Sequence, residues 1–248
     1  MRGNILITGA SSGLGRGMAL EFAARGRNLA LCARRVELLE QLRAEITAQY
    51  PTVRVAGRAL DVNDHEQVFA VFRSLRDELG SLDRVIVNAG SGRGAAVGTG
   101  SFPALRQTAM TNFVAAIAQC DAAVEIFRAQ QSGHLVTIAS MAAIRGLPRS
   151  QTVYAATKAG LASLTEGIRA ELLATPIRVT TIFPGYIDTP INAHVRHRPF
   201  VVAAARGCRA LVRAIEREPA EAHVPWWPWA GLAFLLRHLP LAWIARAA

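Results

Sequence analysis

The chain has 248 residues, enough for one large domain or two small ones. At 51% hydrophobic and 19% charged it can bury a sizeable core, which excludes a disordered or low-complexity chain. The formal charge of +10 comes from scattered arginines, aromatic residues make up only 6%, and no nucleic-acid-binding motif shows, so nucleic acid is not an expected partner.

Cys32, Cys120 and Cys208 are widely spaced and odd in number, which argues against a disulfide framework and against a thiolate metal cage. No run of 18 apolar residues occurs, so no regular membrane-spanning helix is expected. Met1-Arg2-Gly3-Asn4 leads straight into Ile5-Leu6-Ile7, which leaves no room for a signal peptide. A reducing cytoplasm is the expected location.

Apolar runs of strand length alternate with amphipathic runs of helix length. Strands are predicted at 4–8, 28–33, 53–60, 84–88, 134–139 and 178–183. Helices are predicted at 14–25, 36–49, 64–79, 105–129 and 153–173. This alternation predicts an α/β fold: a Rossmann-like, doubly wound, mostly parallel sheet with helices on both faces. Beyond Pro190 the pattern changes to one more helix at 200–217, a short strand at 222–224, and an apolar tail.

The run Thr8-Gly9-Ala10-Ser11-Ser12-Gly13-Leu14-Gly15 sits where the first strand meets the first helix. Glycines there allow a tight turn, and the helix start offers free N–H groups and a positive dipole end to a pyrophosphate. Gly9, Ser11, Ser12, Gly13, Leu14 and Gly15 are therefore candidate cofactor-binding residues. The same run matches the G-x-S-x-G elbow of hydrolases, but that elbow follows several strands, and only eight residues precede this one. The second strand ends in Ala33-Arg34-Arg35 rather than in an acid that would take a free ribose hydroxyl. A guanidinium pairs with a phosphate, so NADP(H) is the expected cofactor, with Arg34 as first partner and Arg35 as the alternative.

Tyr154-Ala155-Ala156-Thr157-Lys158 lies near the start of a predicted helix. With the glycine run, it resembles the classical short-chain dehydrogenase/reductase (SDR) family over residues 4 to about 190. Further matches follow in order: Asp61-Val62 after the third strand, Asn88-Ala89-Gly90 after the fourth, Asn112 in a helix, Ser140 after the fifth, and Pro184-Gly185 with Thr189 after the sixth. Val87 departs from the pattern, where many members have a second Asn. The resemblance implies cofactor contacts from Asp61, Val62, Asn88, Ala89, Gly90, Pro184, Gly185 and Thr189. It also implies a ribose contact from Lys158 and a water-linked proton relay through Asn112.

The chemistry can be read from the residues themselves. Tyr154 and Lys158, four apart, share a helix face. A phenol with a pKa of about 10 is a poor base at neutral pH, and a nearby ammonium is expected to bring it toward the working range. Tyr154 can then donate a proton to a carbonyl oxygen or take it back, while Ser140 holds the same oxygen. Of the 28 basic residues every one is Arg except Lys158. That is the one position where a permanently charged, bulkier guanidinium would fail.

The expected function is NADP(H)-dependent interconversion of a carbonyl and a secondary alcohol, with an apolar substrate; residues 1–190 are read as the dinucleotide-binding and catalytic core, and 191–248 as substrate lid and apolar tail of the same domain. The alternatives are a dinucleotide-binding regulatory protein without turnover, and a dehydratase or epimerase on the same fold. No metal site is expected: His194 and His197 are three apart but have no carboxylate or thiol nearby in sequence. Residues 90–100, around Arg93, read as a mobile loop bordering the site.

The tail carries Trp226-Trp227-Pro228-Trp229, an apolar helix candidate at 230–236, and a second apolar run at 239–244. These residues fit three roles. They can pack against a second copy of the chain in a homo-oligomer, cover an apolar pocket, or make peripheral membrane contact.

Overall fold

The computed structural model describes residues 2–92, 94–192, 195 and 198–247. Arg93, His194 and His197 lie outside the described residues. Seven strands form one sheet: β1 (Asn4–Thr8), β2 (Asn28–Ala33), β3 (Val55–Ala59), β4 (Arg84–Val87), β5 (Gly133–Ile138), β6 (Ile177–Pro184) and β7 (Glu221–Val224). Their order is β3-β2-β1-β4-β5-β6-β7, and every neighbouring pair is parallel. The fold is the expected Rossmann-like single domain.

Successive side chains of a strand point to opposite faces, and both faces are covered, so the central strands read as continuous apolar runs. Ile5 and Ile7 join one core with residues of α1 (Gly13–Ala23), α2 (Val36–Gln49) and α7 (Ala204–Glu216). Leu6 points the other way, into a core built with α3 (His65–Leu79), α5 (Ala115–Gln130) and α6 (Thr152–Glu171). At the amino ends of the strands, buried Arg84 donates from Nε to His134 Nδ1 at 2.8 Å, and His134 Nε2 meets Thr180 Oγ1 at 2.8 Å. This knot ties β4, β5 and β6 together at the end away from the glycine turn.

Three elements differ from the sequence reading by more than two residues. The helix expected at 105–129 begins earlier, as α4 (Phe102–Ala109), where Pro103 fits the first turn because its missing N–H would be unpaired there anyway. It is then interrupted by a π turn, Met110–Val114, before α5. The extra residue of such a turn re-aims the side chains it carries, and Asn112 is one of them. The stretch Phe102–Gln130 is long and apolar enough to cross a membrane by length and composition, yet half of its apolar window is buried in this fold.

The helix expected at 200–217 starts only at Ala204. Val202 is held instead in a bridge with Ile187, its N–H donating to Tyr186 O at 3.0 Å. The tail helix α8 is longer than expected, Trp226–His238 with a kink at Trp227, and α9 (Leu241–Ala247) follows.

Candidate active site

The loops after β1, β4, β5 and β6 all leave from the carboxyl edge of the sheet. The strand order reverses at β1, and the crevice between β1 and β4 is where such sheets take ligands. Thr8 closes the first strand there. Its Oγ1 accepts from Asn88 N and Ala89 N, both at 3.1 Å, and Asn88 Nδ2 donates to Thr8 O at 2.8 Å. These bonds hold the two loops together.

The turn between β1 and α1 leaves no space for a Cβ at Gly9 or Gly15. A Cβ on Gly15 would lie 2.3 Å from the Gly9 carbonyl oxygen, and Gly9 itself has φ +66°. The chain is therefore held flat across the start of α1. Ser12 at the N-cap makes no side-chain cap bond, and no acid occupies the first turn. The first N–H groups of α1 are thus free to take an anion without competition from a cap or an acid. Both observations fit a pyrophosphate cradle made by residues 9–15.

Arg35 reaches over this turn, its Nη2 donating to Ser12 Oγ at 2.7 Å and to Ser11 Oγ at 3.0 Å. Arg34, the first choice from sequence, is as exposed as Arg35, and the bonds to the turn come from Arg35. Arg35 is thus the arginine at the cradle. The Asp61 side chain accepts from Asn63 N and Nδ2 at 3.0 and 2.9 Å beyond β3, and Val62 beside it is buried. Thr189 packs over Gly13, 3.6 Å from where a Cβ would be. A cleft of about 370 Å³ lies between Gly13 and Thr189 and the α7 residues Ala204, Ala205 and Cys208.

Ser140 caps a short 3-10 turn, Met141–Ile144, by accepting from Ala142 N at 3.1 Å. It also hydrogen-bonds the phenol of Tyr154 on α6. Burial raises the Tyr154 pKa above its ordinary value, and the Ser140 bond pulls it partly back. Lys158 is buried one turn further on, its Nζ donating to Ile138 O at 2.7 Å. Burial brings its pKa down to about 8.

The sequence reading expected the Lys158 ammonium to lower the Tyr154 pKa. In the protein alone burial dominates both groups. The phenol keeps its proton and the ammonium is ready to lose one.

Asn112 is fully buried on the π turn, across Gly90 from Lys158. Its Oδ1 accepts from Ser91 N at 2.7 Å and its Nδ2 donates to Ser91 O at 2.9 Å. Nδ2 also faces Thr157 Oγ1 at 3.5 Å. Gly90 is pinched between them: a Cβ there would be 3.2 Å from Asn112 Oδ1 and 3.6 Å from Lys158 Nζ. Sequence reasoning missed Thr157, which lies in the Tyr-Lys segment but looks there like any helical threonine. In the loop at 90–100, expected to border the site, Gly92 packs on Ile191 and Gly94 on the Ser150 carbonyl.

The far wall comes from the tail. The Trp229 ring lies flat on Gly185, where a Cβ would be 2.1 Å from its Cε2. Trp229 joins Ala139, Met141, Phe183 and Ala233 in a small apolar cluster, with Tyr186 packed on it. Arg145 clamps the end of α8 by donating from Nη1 to Leu236 O and Arg237 O at 3.0 and 3.1 Å. The tryptophan-rich run stood out in the sequence, but nothing there said which of its rings turns inward.

Residues 3–199 match the family model described as short chain dehydrogenase. The chain belongs to the short-chain dehydrogenase/reductase family. An uncharacterized oxidoreductase of Mycobacterium tuberculosis is 53% identical to it over 239 residues, covering 96% of this chain and 94% of the relative. An NADPH-dependent 3-quinuclidinone reductase from Rhodotorula rubra is 25% identical, with a TM-score of 0.76 over 87% of this SDR and 84% of that chain. An SDR from Burkholderia phymatum in complex with NAD shares the fold, with a TM-score of 0.84 at 22% identity over 95% of this chain and 92% of that one. The protein is an SDR oxidoreductase with a nicotinamide-dinucleotide fold, and its structural neighbours include a complex with NAD, a complex with 5-hydroxy-NADP and an NADPH-dependent reductase.

Proposed function

We propose that this SDR reduces an apolar ketone or aldehyde with NADPH, Tyr154 serving as the proton donor. The observation that carries this reading is the grouping of Ser140, Tyr154 and Lys158 beside the phosphate cradle at one sheet edge. The bound nicotinamide would supply the hydride. Ser140 orients the carbonyl oxygen, and the protonated Tyr154 phenol donates to it as negative charge develops there. Lys158, with its pKa near 8, can return a proton to the Tyr154 side at neutral pH. Asn112, fixed on Ser91, holds the floor behind Lys158.

NADPH is favoured by Arg35 at the cradle and by Ala33 where an acid would repel a 2′-phosphate. An apolar substrate is favoured by the Phe183–Trp229 wall. The cytoplasm is the compartment we infer, since it supplies the reductant.

Tyr154→Phe tests the reading. It should lower carbonyl reduction by about 10²- to 10⁴-fold while leaving the Kd for NADPH within about two-fold, because only the proton is lost. Near-wild-type turnover in that variant would end the assignment.

A further inference from the structure

The tail helix α8 is apolar on two opposite faces. Trp229, Leu232, Ala233 and Leu236, at helical spacing, turn inward to the Phe183 cluster. Trp227, Phe234 and Leu235 fall on the other side, and the first two are 72% and 71% exposed. Trp226 next to them is 72% exposed, and α9 adds Leu241 and Trp243 at 66% and 61%. A water-facing helix would carry charge at such positions.

The charges that are present all have one sign. From Ala222 to the end the sequence holds Arg237 and Arg246 but no Asp and no Glu. Both arginines are exposed. Tryptophan rings beside arginines match the boundary between headgroups and acyl chains. A symmetric contact between two copies would bring like-charged side chains together with no Asp or Glu of the tail to pair them. At 13 residues α8 is too short to span a bilayer, so it can only lie on one.

We propose that the outer surface of α8 and α9 docks this enzyme on an anionic lipid surface. Arg145 and Trp229 anchor the tail to the body, so the docking face backs directly onto the wall beside Ser140 and Tyr154.

The test is flotation of the full-length protein with phosphatidylcholine vesicles, with and without phosphatidylglycerol, at low salt. The protein should rise with the anionic vesicles, and its tryptophan emission should shift to the blue. Trp227→Ser with Phe234→Ser should weaken binding by about ten-fold or more. Arg237→Gln and Arg246→Gln should each weaken it by about five-fold, for anionic vesicles alone. All four positions are exposed, so thermal midpoint and gel-filtration mass should stay unchanged. The proposal is overturned if the wild-type protein stays with the soluble fraction and its emission does not move. It is equally overturned if the Trp227/Phe234 variant floats like wild type. Loss of an oligomer in that variant, with no vesicle binding by wild type, would assign the surface to a second copy instead.

Discussion

The phosphate cradle and the Trp229 wall each depend on a glycine that leaves no space for a Cβ, but the neighbours differ. At Gly15 the neighbour is the Gly9 carbonyl, backbone against backbone within one tight turn. At Gly185 it is the ring of Trp229, a side chain brought from a distant helix. The first contact cannot relax without unmaking the turn. The second can relax if the indole moves or shrinks. The cradle end is therefore set by local chain geometry, and the wall end by tertiary packing.

Gly15→Ala should break the rigid half of this comparison with the largest effect. Its Cβ would meet the Gly9 oxygen, so we expect a loss of about 3 kcal/mol or more in urea unfolding, along with dinucleotide binding. A variant that unfolds at the wild-type midpoint would show that the turn can give.

Arg35→Ala sharpens the cradle end without disturbing the turn. It should weaken NADPH by about ten- to a hundred-fold, the equivalent of about 1.5–3 kcal/mol, and NADH far less. Equal losses for both nucleotides, measured by titration calorimetry, would reduce Arg35 to a structural prop for Ser11 and Ser12. Arg34→Ala serves as the control.

Lys158, buried by tertiary packing rather than by local chain geometry, probes that burial through pH. Burial lowers its folded pKa to about 8, against about 10.5 for the free group. Between those values the unfolded chain binds more protons, so this group's contribution to stability rises with pH. Compared with Lys158→Met in the cofactor-free protein, the gain should be about 2 kcal/mol between pH 7.5 and 9.5. The buried thiols of Cys32 and Cys120, raised to about 12, and of Cys208, raised to about 11, pull the other way over this range. Only the difference between the two proteins isolates the lysine. A flat difference would mean that Lys158 keeps its charge when folded.

The smallest effect should come from Gly185→Ala, with a loss of about 1–2 kcal/mol as the indole is pushed aside. Combining it with Trp229→Leu should cost less than the two single losses added, by about 1 kcal/mol. Strict additivity in denaturant melts would remove the contact on which the comparison rests.

Much of the cradle end was legible in the sequence. Strands 4–8 and 28–33 and helix 36–49 have the bounds that apolar periodicity predicts, because β-strands and helices covered by a core show their period directly. The glycine run and the Tyr154–Lys158 spacing read equally well, since a turn and a helix face are set by residues a few positions apart. The π turn at Asn112 was not legible. It depends on contacts with Ser91 and Thr157, and a π turn leaves no mark in apolar spacing. The choice of Arg35 over Arg34 was also hidden, because one residue of rotation at a strand's end decides which guanidinium crosses the turn.

By itself, the sequence determined the order of strands and helices along the chain, the Gly-rich turn, and the Tyr-Lys pair, all of which follow from short-range stereochemistry and periodic burial. Only the tertiary structure decided which ring of the tryptophan-rich tail turns inward, and that burial holds the proton on Tyr154 while loosening it on Lys158. Those outcomes depend on which distant surfaces meet, on the water excluded between them, and on the dielectric that their meeting leaves behind.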